Sequence, residues 1–144
     1  MAAEILAAAA GTFAFAVLYG VPRKYYPYCA LTGGISWIIY LLFQDKGVVL
    51  ASFASTVAVV LVSRVMAIRE QCPVTVFLIS GIFPTVPGSY VYWTAYYLVT
   101  DELQLAAEKG YAAIKIAFAI VLGIVFVFEI PQKVFVRMIK KRGA

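Results

Sequence analysis

Apolar residues run along this chain in five long stretches, over 2–19, 28–43, 48–68, 74–99 and 106–130. Polar gaps separate them, the first three reading "GVPRKYYP", "QDKG" and "REQCP". A helix that crosses a bilayer needs about 20 mostly apolar residues, within a range of about 17–25. The pattern therefore predicts an all-α integral membrane protein with five transmembrane helices. The second stretch is the shortest.

The fourth stretch cannot be a regular helix. It contains "SGIFPTVPGS", Ser80 to Ser89. Pro84 and Pro87 each lack an amide donor, and each ring crowds the carbonyl of the preceding turn. Val86 precedes a proline and is pushed towards an extended conformation. Gly81 and Gly88 allow backbone angles that other residues avoid. A crossing broken within Gly81–Gly88 follows. Its first half ends near Phe83, and its second begins near Gly88 or Ser89, with Ser89 as the expected N-cap.

Backbone groups freed by such a break cost several kcal/mol each if they face lipid, so they must face protein or a wet cavity. The second half-helix presents free amides and a positive dipole end, which suits a carboxylate. Two readings stand side by side. Ser80, Gly81, Thr85, Gly88, Ser89 and Tyr92 form a substrate site, or the break is a kink that only shapes packing.

Composition adds the solvent. The 144 residues are 64% hydrophobic and 13% charged, with a mean hydropathy of +0.93. Soluble domains are about 45–50% apolar and about 25% charged. One transmembrane domain over 1–144 accommodates this length. The net charge of +5 would suit nucleic acid, but the basic residues sit in the gaps. Arg23, Lys24, Arg64, Arg69, Lys133, Arg137, Lys140, Lys141 and Arg142 fall on one side of the five crossings, nine of twelve. The positive-inside rule makes that side cytoplasmic. The N-terminus is then outside, and the basic tail 131–144 is inside. A re-entrant hairpin in the fourth stretch would place the tail on the wrong side. "MAAEILAAAA" lacks a positive n-region and reads as a retained first crossing.

Candidate chemistry is sparse. There is no His, which removes the usual near-neutral proton carrier and the His-containing metal motifs. Cys29 and Cys72 are isolated, without metal or redox spacing, and are expected free near the cytosol. No nucleophile–base pair or metal cluster is visible, so the reading is no enzyme, no metal and no cofactor. Lys115 is the one clearly intramembrane charge. It either snorkels outward towards Glu108 or attracts an anion as a coupling group. Arg64 is expected at the membrane interface, and Glu129 is expected to pair with Lys133. Small residues form stripes at Ala106, Gly110, Ala113 and Ala117, at Ala7, Gly11 and Ala14, and at Ser52, Thr56 and Ser63. Such stripes pack helices; the third could instead line a polar path.

Three segments carry a resemblance: "GVPRKYYPYCALTGGISWIIYLL", "PVTVFLISGIFPTVPGSYVYWTAYYLVT" and "LAAEKGYAAIKIAFAI". Together they resemble the threonine/serine exporter family, and within it the small-subunit, YjjB-like branch. The "PVTVFLI.GI.P.VPG" stretch is the most specific part. The family commonly has proline before the first glycine of that stretch, where this chain has Ser80. The resemblance implies a subunit of a proton-driven secondary exporter in the bacterial inner membrane, acting on threonine or serine, or on a small dicarboxylate such as succinate. It also implies a separate YjjP-like five-span partner subunit. A homo-oligomeric channel and a non-transporting scaffold or regulatory subunit are the alternatives.

Overall fold

Without water, a backbone satisfies its polar groups most readily within its own helix, and each apolar stretch has folded that way. The computed structural model describes residues 2–136. Six α-helices of eight residues or more follow one another: α1 Ala2–Leu18, α2 Tyr26–Phe43, α3 Val48–Glu70, α4 Thr75–Ile82, α5 Gly88–Val99 and α6 Leu103–Phe128. Short 3-10 turns occupy Arg23–Tyr25, Gln44–Lys46 and Phe83–Thr85. Arg137, Lys140, Lys141 and Arg142 of the basic tail lie outside the described residues.

Among the described residues, three segments are long and apolar enough to cross a membrane: Arg23–Lys46, Val48–Glu70 and Leu103–Phe128. Ala2–Leu18 and Thr75–Thr85 are shorter apolar helices. The second stretch is longer than its apolar run. Pro27 sits in the first turn of α2, where a missing amide costs nothing, and 3-10 turns extend both ends. α3 ends where Gln71 turns left-handed at φ 51°, and the amide of Cys72 closes on the Ala67 carbonyl at 3.1 Å.

Contacts fix the relative directions of the helices. Cys29 approaches the Val76 carbonyl, and Thr32 abuts Gly81, so α2 and α4 run the same way. Thr56 abuts Gly123, and Arg64 reaches the Val127 carbonyl, so α3 and α6 also run the same way. α5 folds back on α6 through the tight turn Thr100–Glu102, with Thr94 against Gly110.

Hydroxyls are buried among the apolar core, and large apolar side chains cover the outside. Thr12, Thr32, Ser36, Ser52, Ser55, Thr56, Ser63, Ser80 and Thr85 are buried, whereas Leu18, Phe118, Leu122 and Phe126 point outward. That arrangement suits lipid as the solvent. Small residues let the backbones approach. A Cβ on Gly33 would overlap the Thr12 side chain, and one on Gly123 would lie 3.1 Å from Thr56. Thr12, Thr32 and Thr94 donate back to the carbonyl one turn earlier at 2.7–2.8 Å. Ser55 instead crosses to α2, donating to the Ser36 carbonyl at 2.7 Å and lying 2.9 Å from the Ser36 hydroxyl.

The stripes divide. Ser52, Thr56 and Ser63 are all buried, Thr56 against Gly123 of α6, and their hydroxyls have no partner among the described residues. Ala7, Gly11 and Ala14 face outward; α1 buries Thr12 and Ala16 instead. On α6, Ala106 and Ala113 are buried, and Ala117 is exposed.

Arg64 lies beside the end of α6, among protein groups. It is buried, and its Nη1 donates to the carbonyls of Val127 at 2.6 Å and Ile130 at 2.8 Å. Its guanidinium also lies 4.4 Å from the ring centre of Phe135 and 5.5 Å from that of Phe128. A cation thus adds donors to carbonyls at the end of α6, the negative end of the helix dipole; the Val127 carbonyl also accepts from the Ile130 amide at 3.2 Å.

Candidate substrate site at the broken helix

The prolines act where the sequence places them. α4 stops at Ile82, the 3-10 turn Phe83–Thr85 carries Pro84, and Val86 is extended at ψ 133°. α5 then starts at Gly88. Part of the freed backbone is satisfied locally. The Val86 amide donates to the Phe83 carbonyl at 3.2 Å, and the Gly88 amide donates to the Val86 carbonyl at 2.7 Å. The Thr85 hydroxyl donates to the Ile82 carbonyl at 2.8 Å.

The two half-helices pack on different neighbours. α4 and the 3-10 turn lie among α1, α2 and α3, with the Phe83 ring against Phe15. α5 packs on α6 alone among the helices with substantial contact, and none of its residues is buried.

This division separates the candidate residues. Ser80, Gly81 and Thr85 are buried on the α4 side. The Ser80 hydroxyl donates to its own helix, to the Val76 and Phe77 carbonyls at 3.3 Å. Ser80 also lines a cavity of about 270 Å³ with Thr75, between α4 and the segment that follows α1. Gly88, Ser89 and Tyr92 are exposed on the α5 side. Ser89 is not the N-cap: Pro87 occupies that position, and no side chain caps the helix. The proline carbonyl accepts the first intrahelical bond from Val91 at 3.1 Å, which moves the cap two residues back from Ser89.

Ser89 instead opens onto a cleft of about 400 Å³ between α5 and α6, together with Tyr90, Trp93, Tyr97 and Lys109. Lys109 is half-buried, and its Nζ lies 3.5 Å from Glu108. Lys109 escaped sequence reasoning because the fifth stretch begins at 106 and the lysine reads as an end charge. α6 begins at Leu103, so Lys109 is two turns inside it. Tyr92 does not line this cleft; it turns outward against Trp93 at 5.5 Å between ring centres. Lys115 is also away from it, on the exposed face of α6, with its Nζ 4.6 Å from the ring centre of Tyr111 one turn earlier.

The arrangement offers hydroxyls on both sides of an interrupted helix, with aromatic walls and a cation on the α5 side. Such groups can bind and orient a small polar molecule. Comparison with known proteins gives the class. The family described as Threonine/Serine exporter, ThrE matches residues 4–130. No curated protein and no solved structure matches the chain. The match covers all six helices apart from the first residues of α1, so this all-helical membrane protein belongs to the threonine/serine exporter family.

Proposed function

We propose that the chain is one subunit of a secondary-active exporter of small carboxylate-bearing metabolites. Threonine and serine are the first candidates, and a small dicarboxylate such as succinate is the next. The observation that carries this reading is the interrupted α4–α5 segment, with a polar opening on each side. Ser80 and Thr75 lie towards the end where α3 turns into α4. Ser89 stands at the start of α5 beside the break, and its cleft runs along α5 past Trp93 and Tyr97 to Lys109 of α6. A substrate passing between them would cross at the break, and its carboxylate would meet the Lys109 ammonium and the α5 amides near Gly88 and Ser89. Thr85, Gly81 and Tyr92 would shape the passage, and Lys115 would add positive potential along the outer part of α6.

In this reading α4 and α5 together make one crossing, because α2 and α4 run the same way and α5 returns into α6, which runs with α3. Five crossings follow, with the N-terminus out and the C-terminus in, in a bacterial inner membrane and under the proton gradient. The open faces of α5 would be covered by a five-span YjjP-like partner. No catalytic step, metal or cofactor enters this reading.

The back-bonded hydroxyls of Ser80 and Thr85 favour a second reading, in which the subunit only braces a transporting partner. Uptake into inverted vesicles containing both subunits separates the two. Threonine, serine or succinate should accumulate when a proton gradient is imposed. Lys109→Gln should weaken apparent affinity about tenfold, which corresponds to about 1.4 kcal/mol for a charge-assisted contact. Unchanged affinity, with a substrate analogue crosslinking to the partner alone, would favour the bracing role.

A further inference from the structure

A cavity of about 520 Å³ lies at the other end of α6, between the ends of α3 and α6 and the α3–α4 turn. Its walls include Arg64, Gln71, Cys72 and Gln132, with Phe128 and Val136 as apolar cover. No carboxylate is among its described wall residues. Arg64 is 7% exposed, and Nη1 makes both of its hydrogen bonds to described residues. Nε and Nη2 have no hydrogen-bond partner among the described residues. The guanidinium fork is thus fixed by two carbonyls and two aromatic rings, with donors left over. Two side-chain amides and one thiol complete a polar lining without a competing negative charge.

We propose that this cavity binds a small carboxylate through the free edge of the Arg64 guanidinium. Guanidinium donors match carboxylate geometry, and the anchored side chain has little freedom left to lose on binding. The Gln71 and Gln132 amides supply further donors. Under the orientation proposed above, the site opens to the cytoplasm, where an exporter must collect its cargo. That placement rests on the exporter reading; the binding itself does not.

Cys72 gives a direct test, because it lines the cavity while Cys29, the other cysteine, is fully buried. Purified protein in detergent is labelled with an anionic sulfonate and a cationic trimethylammonium methanethiosulfonate. Each rate is normalised to that of a free thiol. The anionic reagent should react about tenfold faster, drawn by the unopposed guanidinium. Succinate or threonine should slow labelling several-fold, beyond the effect of sulfate at equal ionic strength. Gln132→Glu, which leaves Arg64 and its carbonyl bonds in place, should reduce or reverse the reagent preference. Equal normalised rates would overturn the proposal. So would protection by sulfate equal to that by the carboxylates, which would mark simple charge screening. The assay involves no transport, so vesicles that fail to accumulate substrate while Cys72 is protected would count against the exporter reading and leave the site standing.

Discussion

Gly81→Leu is expected to prevent correct assembly, whereas Gly88→Leu, seven residues along the same interrupted segment, is expected to fold. A Cβ on Gly81 would lie 2.5 Å from Thr32 and 3.1 Å from Val59. Both neighbours are fully buried, and Thr32 is held to its own helix by a 2.8 Å bond to the Tyr28 carbonyl. Neither can retreat, and a leucine adds three more carbons. Overfilling a packed core by less than this costs about 1–3 kcal/mol, so the larger insertion should separate α4 from α2 and α3. A Cβ on Gly88 meets nothing within 4 Å, and its change in stability should stay within about 0.5 kcal/mol. Thermal unfolding in detergent, read alongside the yield of monodisperse protein, checks the pair. Equal stability of the two variants would contradict the close α2–α4 packing.

The second large effect is expected at Arg64. Replacing it with Met keeps much of the packing volume but removes both hydrogen bonds to the end of α6. It leaves the Ile130 carbonyl without this donor and the Val127 carbonyl with backbone amide donors only. Hydrogen bonds to a charged group contribute about 1.5–3 kcal/mol each. Part of that is offset, because a buried cation no longer needs desolvation. A net loss of about 2–4 kcal/mol is expected from these two terms. Arg64→Lys should recover only part of it, since an ammonium lacks the planar fork and stacks less well on Phe128 and Phe135. Limited proteolysis after Arg69 and Lys133 would report loosening of the α3 and α6 ends. Wild-type resistance in Arg64→Met would show that the contact is incidental.

Local covalent rules made the break legible. Proline and the residue before it restrict their own backbone whatever surrounds them, and the break appears between Ile82 and Gly88 as the sequence predicts. The hydroxyl stripe on α3 was equally readable, because helix periodicity alone puts Ser52, Thr56 and Ser63 on one face. What sequence could not supply was which helix meets which. The stripe on α1 is a real periodicity, but an α-helix offers several, and Thr12 with Ala16 is the face that packs on α2 and the core around Phe77. Arg64 reads as a charge at the end of α3, and only the fold shows that α6 ends beside it and takes its donors. Ser89 reads as a cap until Pro87 is seen at the position before the helix. The break distributes the candidate residues to two sides instead of gathering them in one pocket.

The most direct test of the broken crossing as the transport site is export by Gly88→Leu, at matched expression and with assembly verified. The substitution changes neither charge nor a buried contact, and it places bulk at the open start of α5. Efflux of threonine, serine or succinate should drop to a small fraction of the wild-type rate while the protein remains folded. Export at the wild-type rate would contradict the account, because substrate would then pass without approaching the start of α5.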